Sequence, residues 1–139
     1  MVHALDRARQ YLRPNAPLVL IQPHQWKRPF IAVSSVRQRQ RVGALINTEF
    51  QPRINAAMAA IRTVVDGGRF AHVGTSHHQF SVRLASLAEL DRYLHLGQRP
   101  PRFPAGGRKR LHALWSAKPT GARIEVTEYL SVIALRARR

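Results

Sequence analysis

The chain has 139 residues, of which 45% are hydrophobic, and it contains 23 Lys and Arg against 7 Asp and Glu. This length and composition predict a single domain over residues 1–139 and exclude a wholly disordered chain. The absence of cysteine excludes disulfides, thiolate metal sites and a cysteine nucleophile. No apolar run reaches the length of a membrane span, and the N-terminus lacks the apolar core of a signal peptide, so we expect a cytoplasmic protein.

The formal net charge of +16 is the most unusual property of the chain, and its cations are arginines except at Lys27, Lys109 and Lys118. Planar guanidinium groups suit the recognition of phosphate and carboxylate. One interpretation is therefore an anionic partner such as nucleic acid or acidic lipid. The other is that an arginine-rich proteome places these residues on solvated faces, since net charge determines association and not fold.

The first elements in chain order are a short helix, a turn and a strand. Ala4, Leu5, Ala8 and Leu12 recur at helical spacing. The segment 13–15 ends that helix, because the residue before a proline leaves the α region and Asn15 tolerates a left-handed cap. Residues 18–21 are continuously apolar between prolines, which is typical of a strand covered on both faces in a parallel sheet.

A β-hairpin is predicted over about residues 30–46. The strand-like runs are residues 30–36 and 42–46, and the segment 37–41 between them forms a basic tip. If the tip stays extended, successive side chains alternate between the two faces of the strand, so Arg37, Arg39 and Arg41 lie on one side. No acid occurs between Asp6 and Glu49 to neutralise them.

Three helices and two strand regions follow. Pro52 fits the first turn of a helix that carries Ile54, Met58, Ile61 and Val65 and ends at residues 66–68. Residues 70–82 indicate a strand or strand pair interrupted at 74–76.

Ser86 and Glu89 form a capping box before a helix that carries Leu87, Leu90 and Leu94 and that Gly97 ends. Residues 108–117 indicate a helix, with Leu111, Leu114 and Trp115 as its apolar side, and residues 122–136 are strand-rich.

This order of elements resembles the C-terminal half of a class I S-adenosylmethionine-dependent methyltransferase. Residues 9–21 match the family pattern in which a helix ends in R-x-L-R-P-G-G and runs into the fifth strand, with Asn15 and Ala16 in place of the glycines. Residues 64–70 are similar to the helix end and sixth strand, and residues 121–136 to the closing strand. The resemblance implies an α/β fold: half of a Rossmann-like methyltransferase sheet with an added hairpin.

The resemblance does not extend to a cofactor site. The family binds its cofactor with its first half, and the glycines of this chain form no G-x-G-x-x-G after a strand. No cofactor is therefore expected in this chain alone. We expect S-adenosylmethionine to bind only if a partner supplies the missing half. The strand at 18–21 would lie in the middle of the sheet of the whole fold. Without its neighbours it would expose an apolar edge, so we expect a homodimer or a complementing chain that covers this edge.

Candidate catalytic and metal sites are weak. His77 and His78 are adjacent and point to opposite faces of a regular strand; with His72 they make no recognised zinc spacing. Glu125 and Glu128 are three apart and would face opposite sides of the last strand. No residue is assigned as catalytic or metal-binding, and whether the chain is part of an enzyme stays open.

Two basic clusters give the strongest functional signal. The first contains Trp26, Lys27, Arg28, Arg37, Arg39 and Arg41; the second contains Arg99, Arg102, Arg108, Lys109 and Arg110, with Phe103 among them. Cations bind phosphates and rings stack on unpaired bases, so the clusters together predict binding of an anion, with nucleic acid favoured. Gly106 and Gly107 before a helix start would free backbone N–H groups for that anion. For each residue alone, a solvated loop is the simpler interpretation.

Three hypotheses follow. The first is a methyltransferase-like half domain that is not catalytic alone and binds nucleic acid. The second is the substrate-side subunit of a split methyltransferase. The third is a dimeric oligomerisation module whose charge is incidental. No membrane partner is expected.

Overall fold

The computed structural model of the chain describes residues 1–97 and 100–138. Its helices are α1 (Val2–Tyr11), α2 (Phe50–Asp66), α3 (Leu87–Leu94) and α4 (Gly107–Ser116). Its strands are β1 (Pro17–Pro23), β2 (Phe30–Ser34), β3 (Arg39–Ala44), β4 (Phe70–Leu84) and β5 (Arg123–Ala137). The fold is therefore α/β, as the sequence predicts.

The backbone forms two compact units. Unit 1 contains Met1–Gln25, Thr48–His78 and the described residues from Leu130 onward. Unit 2 contains Trp26–Asn47 and the described residues of Gln79–Tyr129. The long strands β4 and β5 each contribute one part to each unit.

The strands form one five-stranded antiparallel sheet in which β5 has the most neighbours. The C-terminal part of β5 pairs with β1, its N-terminal part pairs with β2, and β4 also pairs with β5. The β2 strand continues the sheet to β3. Among the described residues, β1 and β4 are each paired with β5 alone.

The prediction of a parallel strand covered on both faces at residues 18–21 is wrong. The β1 strand is antiparallel to β5, with Leu20 opposite Ile133. Leu18 and Leu20 pack against the core of unit 1, while Val19 and Ile21 point the other way and are 55% and 68% exposed. A run of apolar residues does not distinguish a strand buried on both faces from one that exposes half of its side chains.

The β2–β3 hairpin confirms the predicted hairpin, with different bounds. Ser35 and Gln38 close the turn by a backbone hydrogen bond of 2.8 Å, so Arg39 and Arg41 lie within β3 and not at the tip. The register shifts by one residue between Ile31, which lies opposite Gly43, and Ala32, which lies opposite Arg41. This bulge leaves Val42 unpaired in the ladder, and its side chain is buried in the core of unit 2.

The predicted helices are confirmed. Asn15 follows α1 with φ of 65°, the left-handed conformation expected there. Ser86 Oγ accepts a hydrogen bond from the Glu89 N–H at 3.1 Å, as a capping box requires. The Glu89 carboxylate accepts from the Ala85 N–H at 2.6 Å, one residue before the cap, and α3 ends at Leu94, before Gly97.

The predicted interruption of β4 at residues 74–76 is wrong, because the strand is continuous from Phe70 to Leu84. Gly74, Thr75 and Ser76 favour turns by composition, but pairing with β5 keeps them extended. The last strand runs to Ala137, close to the expected bounds.

Each unit has its own apolar core. In unit 1, α1 and α2 contribute to a cluster of Leu5, Ile61, Val64, Phe70, Ile133, Leu135 and Ala137. In unit 2, α3 and α4 contribute to a cluster of Ile31, Val33, Val42, Leu45, Leu90, Leu94, Leu111, Ala122, Ile124 and Val126. The helices of unit 2 therefore pack on the sheet face that carries Ile31, Val33, Ile124 and Val126.

Candidate nucleic-acid interface

Three cations lie over two aromatic rings in unit 2, on the sheet face opposite its helices. The Arg39 and Arg41 guanidinium carbons are 4.8 and 4.7 Å from the centre of the Phe30 ring. Lys27 Nζ is 5.2 Å from the centre of the Tyr129 ring, and the two rings are 6.4 Å apart. We call these five residues (Lys27, Phe30, Arg39, Arg41 and Tyr129) the aromatic–cation cluster.

Strand pairing explains how this cluster assembles. Alternate residues of a strand share a face, so Phe30, Ala32 and Ser34 point away from the core that holds Ile31 and Val33. Ala32 pairs with Arg41 and Ser34 pairs with Arg39, which directs both guanidinium groups to the face of Phe30. Phe30 also lies opposite Thr127 of β5, and Tyr129 follows Thr127 by two residues on the same face.

A buried carboxylate anchors one of the three cations. Glu125 is 7% exposed and forms an ion pair with Arg39. Arg39 Nη2 also donates to Thr127 Oγ1 at 2.7 Å, and Ser81 Oγ lies 3.3 Å from Glu125 Oε1 and 3.1 Å from Thr127 Oγ1. Arg41, by contrast, makes no ion pair with a described carboxylate, so its charge stays available to a ligand.

The structure brings together only part of the first predicted cluster. Lys27, Arg39 and Arg41 lie over the two rings, as described above. Trp26 is 74% exposed in the segment before β2, and Arg28 in the same segment is also exposed. Arg37 is exposed in the hairpin turn and not in line with Arg39 and Arg41, because the chain bends at residues 36–37.

The second predicted cluster is more dispersed. Arg108 lies over the Phe103 ring at 4.9 Å, and its Nη1 is 3.5 Å from Asp91 Oδ1, so its charge is partly compensated. Arg102 is held through its backbone, which exchanges two hydrogen bonds with Ile46, while Lys109 and Arg110 are exposed on α4. Arg99 lies outside the described residues.

The prediction that Gly106 and Gly107 free backbone N–H groups for an anion is wrong at Gly107. Its N–H donates to the Pro104 carbonyl at 2.8 Å. Gly106 has φ of 72°, a conformation that favours glycine, and an added Cβ at Gly107 would lie 2.9 Å from Pro104 Cδ. The two glycines therefore serve a tight turn and close packing against Pro104.

Sequence reasoning missed Phe30 and Tyr129 as members of the site. Phe30 was assigned only to a strand, and Tyr129 lies far from it along the chain. The available signal was the alternation in β2, which places Phe30 on the face away from Ile31 and Val33. The contact with Tyr129 depends on the pairing of β2 with β5, and no local pattern encodes that pairing.

A second polar pair in unit 2 lies between α3 and β5. Tyr93 Oη donates to Glu128 Oε1 at 3.0 Å. Burial, together with the neighbouring Glu128 charge and this hydrogen bond, raises the pKa of Tyr93 from its ordinary value of 10.0 to about 12. Burial also raises the pKa of Glu128, although the hydrogen bond from Tyr93 opposes that shift.

The histidines of unit 1 do not converge on one point. His77 Nδ1 is 3.1 Å from Ser131 Oγ, and its ring centre is 4.6 Å from that of His24. His72 contacts Thr75, and His78 contacts Ser76. In the part of the chain that the structure describes, no three His, Cys, Asp or Glu residues are grouped so that they could hold a metal ion.

Comparisons with family models, curated proteins and solved structures find no match to this chain. No helix within residues 1–97 and 100–138 is long and apolar enough to cross a membrane.

Proposed function

We propose that the chain binds nucleic acid through the aromatic–cation cluster of unit 2. The observation that carries this proposal is the placement of Lys27, Arg39 and Arg41 over Phe30 and Tyr129 on one sheet face. Cationic groups neutralise phosphates, and the overall charge of +16 adds a long-range attraction for polyanions.

The proposed ligand is a single strand. Aromatic rings and guanidinium planes offer stacking surfaces to unpaired bases, which a duplex keeps within its own stack. A sheet face presents these surfaces side by side, with phosphates within reach of Arg41. The exposed Trp26 next to Lys27 supplies a third ring near the cluster.

The test is a salt titration of binding to a labelled single-stranded oligonucleotide, followed by fluorescence anisotropy. We expect affinity to fall steeply with salt, and the slope of log K against log salt to decrease by about 0.7 for Arg41→Ala if Arg41 contacts one phosphate. Arg62→Ala is the matched control, because it removes one exposed arginine from α2 in unit 1. Absence of binding at low salt, or equal losses for both variants, would contradict the proposal.

A second candidate function is the substrate-side half of a split S-adenosylmethionine-dependent methyltransferase, with the fold completed by a complementing chain. It is supported by the left-handed Asn15 after the Leu-Arg-Pro segment that leads into β1, and by the pairing of β1 with β5 alone among the described residues. A complementing chain would then pair with the second edge of β1.

Calorimetry distinguishes this candidate from the first. A mixture of this chain with a protein that carries the missing Gly-rich half should bind S-adenosylmethionine, whereas this chain alone should not. Failure of such mixtures to bind the cofactor would remove the second candidate and leave the nucleic-acid proposal untouched.

A further inference from the structure

Among the described residues, β1, β3 and β4 each have a single strand partner, and two of these three edge strands, β1 and β4, lie in the two longest stretches of the chain that lack formal charge. Residues 14–26 and 70–82 contain no Lys, Arg, Asp or Glu, and they include β1 and most of β4. Natural edge strands commonly carry charges, prolines or bulges that prevent pairing with another chain. The β3 strand carries Arg39 and Arg41, whereas β1 and most of β4 lack the first of these protections.

Of the two uncharged edge strands, only β4 also lacks proline. The β1 strand is seven residues long and has Pro17 and Pro23 at its ends, which have no N–H to donate to a further strand. The β4 strand has fifteen residues and no proline. Its edge is therefore the longer and the less protected of the two.

The side chains of β4 are also uncovered where the strand belongs to unit 1. His72, Val73 and residues 75–78 are exposed, and Val73 retains 56% of its accessible surface. Within the described residues, β5 is the one strand that pairs with β4. The other edge of β4 therefore presents its backbone N–H and C=O groups to an additional strand.

We infer that this edge pairs with β4 of a second copy of the chain, antiparallel and across a two-fold axis. Two copies that each carry a charge of +16 repel each other where their arginines come close. Residues 70–82 contain none of these cations, so pairing along β4 avoids this repulsion. Across a two-fold axis, both strands present the same backbone donors and acceptors, so the edge of one copy can pair with the identical edge of the other. The pairing joins two five-stranded sheets into one.

The first test is sedimentation of the nuclease-treated chain at moderate salt, with three forms compared. We expect the wild type to form a dimer, and Thr75→Lys to weaken dimerisation by about tenfold or more, because like charges then face each other across paired strands. Val19→Lys adds the same charge to β1 and should leave the dimer intact. Circular dichroism verifies that both variants stay folded.

Cysteine scanning provides a second test, because the chain contains no cysteine of its own. In an antiparallel two-fold pair, residues near the axis lie opposite their own copies. We expect single cysteines at Thr75, Ser76, His77 and His78 to form disulfide-linked dimers with a clear positional maximum, and Ser116→Cys on α4 to form none. A monomeric wild type, a dimer disrupted by Val19→Lys and not by Thr75→Lys, or cross-linking that is independent of position would overturn the inference.

Discussion

Arg39 and Arg41 lie two residues apart on β3 and both cover Phe30, but the structure gives them different tasks. Arg39 compensates the buried Glu125 and donates to Thr127, whereas Arg41 has no described carboxylate partner. Removal of Arg39 leaves a buried carboxylate without its counter-charge, which is more costly than loss of an exposed charge. Arg39 therefore has a structural role besides any contact with a ligand, and Arg41 is the cleaner probe of binding.

Chemical denaturation measures this difference. We expect Arg39→Ala to lower the free energy of unfolding by about 2 kcal/mol, and Arg41→Ala to change it by less than about 0.5 kcal/mol. Equal effects of the two substitutions would show that the Arg39–Glu125 pair does not stabilise unit 2.

Glu128 predicts a pH dependence of stability. Burial raises the pKa of Glu128 in the folded chain above its ordinary value of 4.5, so folding favours the protonated carboxyl. Its contribution to stability is fully present below pH 4.5 and is lost as pH rises through the raised folded pKa. Glu128→Gln keeps an acceptor for Tyr93 and has no charge to bury, so the variant should lack this loss.

The measurement is urea denaturation of both proteins from pH 4 to 7. We expect the free energy of unfolding of Glu128→Gln to increase relative to that of the wild type as pH rises. Parallel profiles of the two proteins would contradict the assignment.

At the scale of elements, sequence patterns predicted the helices better than the pairing of the strands. The apolar spacing of α2 and the Ser86–Glu89 cap of α3 are local signals, and both are confirmed. The environment of β1 depends on whether its outer face is covered, and the continuity of β4 through Gly74 depends on pairing with β5. Neither property is encoded by the residues of the strand itself.

The same reasoning explains what was predicted of the site. Alternation along a strand predicted Arg37, Arg39 and Arg41 on one side, which the structure bears out for Arg39 and Arg41 but not for Arg37, since Arg37 lies in the hairpin turn. Tyr129 and Glu125 reach the site only through the register of β2 with β5, which places Phe30 opposite Thr127. The cations were therefore accessible to sequence reasoning, and their ring and carboxylate partners were not.

The turn from α1 into β1 gives a prediction at this scale. Asn15 has φ of 65°, which costs a residue with an ordinary side chain about 1 kcal/mol. We expect Asn15→Ala to lower the melting temperature, and Asn15→Gly to leave it unchanged or raise it. Thermal unfolding followed by circular dichroism measures both, and an equal decrease for the two variants would show that the Asn15 side chain, and not its backbone, stabilises the turn.

At the scale of the whole molecule, charged and uncharged stretches are segregated along the chain. The aromatic–cation cluster lies in unit 2, and the charge-free stretch 14–26 ends directly before Lys27. The net charge favours association with polyanions and opposes association of copies, except along an edge without cations. Nucleic-acid binding and self-pairing through β4 therefore use different residues, and variants can separate them.

The most direct test of the central proposal is to locate the bound strand on the protein. A bromouracil-containing single strand is photo-cross-linked to the wild-type chain, and the attachment sites are identified by mass spectrometry. We predict cross-links at Phe30 or Tyr129, with Trp26 as a neighbouring site, and their loss at high salt. Cross-links confined to Phe103 and α4, or none at low salt, would contradict the account.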